Sequence, residues 1–254
     1  MNLTITGSRI YFTIPIFGGI AVTQTMVTLL AVTVLLSLTA FLLTRQLTKR
    51  PGRVQVFVEW GVSKIYGMVE DTMGKHNLKY APYIGTLFLS SVTCSLIGMT
   101  QIFRSATADI SVTLAWALVT TGLVWYENIR NNGFLGWLKG FTEPVVVMTP
   151  MNIVSEIASP ISLAFRHFGN IAGGSVLTSL IYAALAALSA AVFRWLPAAV
   201  AAVFPPIFQV GIPAFLSIYF DLFSSFVQAL VFCLLTMVYV GSANPPKEEN
   251  AAGK

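Results

Sequence analysis

Pro160-Ile-Ser-Leu-Ala-Phe-Arg166-His-Phe-Gly-Asn170-Ile-Ala-Gly-Gly-Ser175 sets one arginine in the middle of a long apolar stretch. The positions three and four residues away on a helix are Ser162, Leu163, Gly169 and Asn170, so no carboxylate shares the arginine's face at close range. A charge at bilayer depth costs a few kcal/mol on insertion scales. A guanidinium cannot escape by losing its proton, because its pKa stays above ~12. Its counter-charge must come from another helix, a water-filled cavity or another protein.

The remainder of the chain supports a membrane reading of that stretch. Hydrophobic residues make up 56% of the 254, charged residues only 10%, and mean hydropathy is +0.76. Soluble domains carry about 25% charged residues. The expected fold is all-α: a polytopic membrane protein with five to six membrane helices, at ~20 residues per span. Apolar blocks run from about Val22 to Thr44, Pro82 to Phe103, Ile110 to Tyr126, Met151 to Ala190 and Pro206 to Gly241. The segment 134–149 is broken and apolar. Residues 54–74, which carry Glu59, Lys64, Glu70 and Asp71, are too polar to span and read as an amphipathic helix at the cytoplasmic surface. The domain expectation is one integral-membrane unit, 1–254, with 1–21 as an outer segment and 151–241 as a helical hairpin.

Orientation follows from the basic residues. Arg45, Lys49, Arg50, Arg53, Lys64, Lys75, Lys79, Arg130 and Lys139 fall on one side, joined by Lys247 and Lys254 in the tail. Arg9, Arg104 and Arg194 fall on the other. The positive-inside rule then puts the N-terminus outside and the C-terminus in the cytoplasm. A net charge of +5, scattered in this way, gives no footprint for nucleic acid. No nucleotide loop, catalytic triad pattern or metal-ligand spacing is present in the sequence, so neither cofactor nor metal is expected. Cys94 and Cys233 read as small buried hydrophobes.

The last two blocks are too long for upright spans. A continuous helix over 151–190 would measure about 60 Å against about 30 Å of hydrocarbon, so it must tilt strongly or bend at Pro160. In the last block, spacings of four and seven align Ser217, Asp221, Ser225 and Gln228. Ser162, Arg166, Asn170 and Gly173 align likewise on the preceding one. An antiparallel hairpin turning near Pro197 brings Arg166 to the depth of Gln228, and Ser175 near Asp221 toward the outside. Blander roles exist for each residue. Gly169 and Gly173 form a GxxxG, which by itself means close helix packing. Asn170 and Gln228 serve equally well as interhelical glue, and Asp221 as a buried counter-ion for Arg166. Glu156 is ~15 Å from Arg166 along the helix and about 80° round it. His167 points about 100° from Arg166 and reads as an interface or surface residue, and His76 as solvated.

At these residues the chain resembles subunit a of F-type ATP synthases, bacterial type. The resemblance covers most of the chain from about Gln55 and is strongest in the Arg166 stretch and in Val227-Gln228-Ala-Leu-Val-Phe-Cys-Leu-Leu-Thr-Met-Val-Tyr239. Asp109-Ile-Ser-Val-Thr-Leu-Ala looks like the motif opening that family's fourth helix, and Val69-Glu-Asp-Thr-Met-Gly74 like its cytoplasmic helix. The resemblance implies a non-catalytic stator subunit in the bacterial inner membrane. It would stand beside a ring of c subunits, with peripheral-stalk b subunits and membrane lipid as further partners. Arg166 matches the family's essential arginine, Asn170 the asparagine one turn on, and Gln228 the glutamine facing them. Asp109, Glu156, Ser175 and Asp221 join these as the implied ion-path residues.

Departures from the pattern are informative. Ser175 stands where an acid or histidine often follows the glycines, and Asp221 where histidine or glutamate is frequent. Asn152 replaces an acid fourteen residues before the arginine, with Glu156 nearby to serve instead. His167 replaces a common leucine. A permanent cation opposite a ring carboxylate lowers that acid's pKa and favours release of its ion, so ion flow through two offset half-channels becomes torque. Proton and sodium both fit that scheme. The competing readings are a secondary transporter or antiporter with an intramembrane Arg–Asp pair, against which stands the absence of an internal sequence repeat, and a stand-alone proton channel.

Overall fold

The computed structural model describes residues 9–15, 19–45, 47–49, 51–100, 103–143, 145–192 and 218–246. Six α-helices dominate: α1 (Gln24–Thr44), α2 (Arg53–Met73), α3 (Ala81–Leu96), α4 (Ile110–Gly140), α5 (Thr149–Val192) and α6 (Ser224–Ala243). All but α2 form candidate membrane spans, five among the described residues, and α2 is the one helix carrying charge along its length. The expectation of an all-helical membrane protein holds, with one small addition. Before α1 the chain makes an antiparallel hairpin, β1 (Ile10–Ile14) with β2 (Ile20–Thr23), turning through Gly19 at φ 95. Ile, Tyr, Phe and Thr fill β1, residues suited to a pleated surface.

Helix starts follow local chemistry. Thr23 caps α1 by accepting from the Met26 N–H, and Asp109 caps α4 by accepting from the Ser111 N–H at 3.0 Å. The Asp109 Oδ2 also accepts from Thr25 Oγ1 at 2.8 Å, which ties the start of α1 to the start of α4. Pro82 sits in the first turn of α3, where its missing N–H removes nothing. The span expected over 82–103 is shorter than its apolar block: α3 ends at Leu96 and gives way to a 3-10 turn, Ile97–Thr100. In contrast, α4 runs on past Tyr126, where its apolar block ends, through a polar stretch. It is interrupted only at Gly133 (φ 72, ψ 166), a backbone conformation that costs little only for glycine.

The fifth helix is continuous for 44 residues with Pro160 inside it, about 66 Å end to end. Proline removes the N–H that would bond the carbonyl of Glu156, four residues back, and the helix continues nonetheless. Its partner α6 runs antiparallel. Glu156 and Ser159 stand across from Tyr239 and Ser242, while Asn170 stands across from Gln228 and Ser224. Residues 193–217 between them, including Pro197, lie outside the described residues.

The core gathers around α6. Phe232, Cys233, Met237 and Val240 are buried against Val69 and Met73 of α2, Ile84 and Leu87 of α3, Ala117 of α4, and Leu163 and Ala164 of α5. Both cysteines are free and buried, as small hydrophobes would be. At the far end of α6, the Asn244 Nδ2 donates to Asn77 Oδ1 at 2.6 Å. Asn131 Nδ2 donates to Asn244 Oδ1 at 2.9 Å and to the Ala243 carbonyl at 3.1 Å. His76, exposed as expected, nonetheless bonds the Asn244 carbonyl at 2.8 Å.

Candidate functional site

On α5 the buried stripe is Pro160, Leu163, Ala164 and His167, a spacing of three and four that packs one face inward. Arg166 is rotated off this stripe and is exposed. Among the described residues it makes no hydrogen bond and no ion pair. Ser162, Gly169 and Gly173 share its outward side, and a Cβ added at either glycine would meet nothing within 4 Å. The GxxxG of this helix is therefore not a packing seam among the described residues. It is an open strip of small residues beside a cation.

Asn170 connects that strip to α6. Its Nδ2 donates to Gln228 Oε1 at 3.5 Å, and its Oδ1 accepts from Ser224 Oγ at 2.9 Å. Gln228 is 6% exposed and its Nε2 has no partner among the described residues, while Ser225 is buried on the same helix. Asn170 thus faces Ser224, at the shorter bond, and Gln228, whereas Arg166, expected at the depth of Gln228, is turned outward. Ser175 lies further on, exposed, its Oγ bonded back to the Ala172 carbonyl at 2.8 Å. Asp221 falls in a π-helical turn, Ile218–Phe223, whose backbone packs against α5. Such turns recur at functional sites. The Asp221 side chain itself is outside the described residues, as is Ser217.

Toward the other end of α5 the two candidates for the inner path separate in role. Asn152 is occupied in holding the turn before the helix, donating to the carbonyls of Phe141 and Glu143 at 2.9 and 3.1 Å. Glu156 instead lines a cleft of about 210 Å³ between α4, α5 and α6, with Thr120, Thr121, Asn128, Ser159 and Ser242 among its walls. Its carboxylate accepts from the indole N–H of Trp125. Asp109 sits elsewhere, at the capped start of α4.

His167 resolves toward the first of its two expected settings, since it is wholly buried at a helix interface. Nε2 meets Ser91 Oγ of α3 at 3.2 Å, and the ring stands edge-on to Trp116 of α4 and Phe232 of α6. A second buried group escaped the sequence reading altogether. Glu127, 1% exposed on α4, takes Lys79 Nζ at 2.6 Å, the Tyr80 hydroxyl, and Arg130 at 3.8 Å. Its only sequence signal was an acid followed three residues later by a base at the end of an apolar run.

The chain that carries this exposed cation and polar clasp has relatives among known proteins. Residues 25–241 fit the family model for the ATP synthase A chain. The chain belongs to the ATP synthase subunit a family. It is 34% identical over 209 residues to "ATP synthase subunit a, sodium ion specific" of Propionigenium modestum, covering 75% of this chain and 63% of that protein. To "ATP synthase subunit a 2" of Bradyrhizobium sp. it is 30% identical, over 89% of this chain and 91% of that one. To "ATP synthase subunit a" of Bacillus velezensis it is 30% identical, covering 91% and 95%. As a subunit a it is a multi-pass membrane protein of the Fo sector. It takes part in ion translocation and makes and breaks no covalent bond.

Proposed function

We propose that this subunit a presents Arg166 to a passing ring of c-subunit carboxylates, and that the exposure of Arg166 on a strip of small residues carries the reading. The open glycines let another helix approach closely. A guanidinium waiting there, with no acid beside it among the described residues, holds a ring carboxylate ionised as it passes. Because arginine cannot give up its proton, it also blocks direct leakage between the two sides. Asn170, clasped to Ser224 and Gln228, keeps the strip at a fixed distance from α6.

Two approaches flank this point. The Glu156 cleft serves the cytoplasmic side, where the basic loops place the near ends of α5 and α4. The region of Ser175 and Asp221 serves the outside, with Asp221 gathering the cation. Ions entering at one load a ring site and leave at the other after nearly a full turn. The ring, the peripheral stalk and the bacterial inner membrane are the setting, with α2 lying along the cytoplasmic face. The coupling ion is a proton or sodium; the relative from Propionigenium modestum is named for sodium.

The test is reconstitution. Purified alone into liposomes, the chain should show no controlled ion flux, whereas a secondary transporter or stand-alone channel should conduct unaided. Assembled with its ring, it should support gradient-driven ATP synthesis that Arg166→Ala abolishes. Coupled synthesis in that variant would refute the assignment.

A further inference from the structure

We infer that His167 is a positioning residue that sets the angle at which Arg166 leaves α5. The proposal rests on the reading of Arg166 given above and assigns the device that aims it.

The need for such a device follows from how α5 is held. Its outward side, with Ser162, Arg166, Gly169 and Gly173, is exposed among the described residues. Only the inward side resists rotation about the helix axis. Three of its buried contacts, Pro160, Leu163 and Ala164, are apolar and non-directional. A guanidinium lies roughly 9 Å from the helix axis, so a turn of about 20° displaces it by about 3 Å. Apolar contacts resist such a turn by packing alone and single out no one angle. Hydrogen bonds and edge-on ring contacts do single one out, because their strength falls steeply with angle.

His167 supplies such contacts in three directions at once. Ser91 holds its Nε2 from α3 at 3.2 Å. Trp116 stands at 73° to its plane from α4, and Phe232 at 76° from α6, with ring centroids 6.1 and 5.4 Å away. Trp116 and Phe232 also meet each other at 6.4 Å, which closes a three-ring cluster around the imidazole. The ring is wholly buried. It is also adjacent in sequence to the arginine, so a fixed imidazole fixes the Cα–Cβ direction of Arg166 about 100° away. Asn170, one turn on, acts on the other flank through α6. The four helices α3, α4, α5 and α6 thus meet at a single side chain beside the functional one.

The test uses the complete ATP synthase with Ser91→Ala, His167→Leu and His167→Gln, read three ways. Subunit abundance reports folding. Gradient-driven synthesis, set against ATP hydrolysis by the same enzyme, reports coupling. Disulfide yield between cysteines at 170 and 224, in a background lacking Cys94 and Cys233, reports the angle of α5 and is measured separately from activity. Ser91→Ala and His167→Leu are expected at normal abundance, with synthesis lowered at least fivefold, hydrolysis kept and crosslinking reduced. His167→Gln, whose amide can still reach Ser91, is expected to recover both. Wild-type crosslinking and synthesis in Ser91→Ala would overturn the proposal, as would glutamine doing no better than leucine. If His167→Leu fails to accumulate, Ser91→Ala decides alone, since it leaves the imidazole and its aromatic packing in place. Because the crosslink reads geometry whatever the chain transports, its failure is distinguishable from failure of the role given to Arg166.

Discussion

At the scale of single residues, Arg166 and Asp221 make opposite demands on substitution. Arg166→Lys keeps a positive charge but replaces a planar, permanently protonated fork with a compact ammonium that can deprotonate at depth. The variant is expected to assemble and to lose gradient-driven ATP synthesis by about a hundredfold or more, as removal of a dedicated electrostatic group does. Vesicle assays with abundance controls check it. Asp221→Asn is expected to slow ion entry from the outside while leaving abundance unchanged. A purely structural counter-ion role would predict the reverse, a degraded subunit, since an unpaired buried charge costs several kcal/mol. Passive conductance measured beside immunoblot abundance separates the two.

At the scale of elements, the antiparallel pairing of α5 and α6 is directly accessible to chemistry. Cysteines at 170 and 224 should form a disulfide readily, because Asn170 and Ser224 already bond side chain to side chain at 2.9 Å. Disulfides need Cα atoms about 4.4–6.8 Å apart. The pair 168 and 224 should crosslink poorly, since Phe168 turns about 200° from Asn170; the reverse ranking would mean a rotated helix. In α4, Gly133→Ala should lower stability by about 1 kcal/mol or more, as a Cβ is forced into left-handed backbone. A thermal midpoint in detergent would show it.

The sequence made this pairing legible because Arg166, Asn170 and Gln228 are polar residues at helical spacing in apolar runs, where an unpartnered polar group is costly and so marks a contact or a role. It hid the continuation of α4 beyond Tyr126, because Glu127, Arg130, Asn131 and Asn132 carry the composition of a loop. Their helical state depends on partners distant in sequence, Lys79 and Tyr80 for Glu127 and Asn244 for Asn131. It left His167 open between interface and surface for the same reason, since Ser91, Trp116 and Phe232 come from three other helices. The Glu156 cleft likewise exists only once α4, α5 and α6 are assembled.

At the scale of the whole molecule, Glu127 is a keystone joining the 3-10 segment Lys75–Tyr80, just before α3, to α4. Replacing both Lys79 and Arg130 by Met leaves a buried carboxylate with the Tyr80 hydroxyl alone. That should cost about 3 kcal/mol, toward the low end for such pairs because both cations reach solvent. Adding Glu127→Met should restore much of the loss, because an apolar trio needs no compensation. Melting of the parent and the two variants in detergent checks both steps; a triple variant no better than the double would show the carboxylate to be structurally silent.

The length of α5 has a geometric consequence for coupling. If straight and confined to about 30 Å of hydrocarbon, a helix of about 66 Å would lean roughly 63° from the membrane normal. Glu156 and Ser175 are nineteen residues apart on it, about 28 Å along the axis. At that slope they differ by only ~13 Å in depth but by ~25 Å in the plane of the membrane. Most of the separation is sideways. If Glu156 and Ser175 mark the two approaches proposed above, a carrier bound at one end cannot simply drop to the other and must be conveyed laterally. The incline of a single helix thus turns a vertical gradient into horizontal displacement.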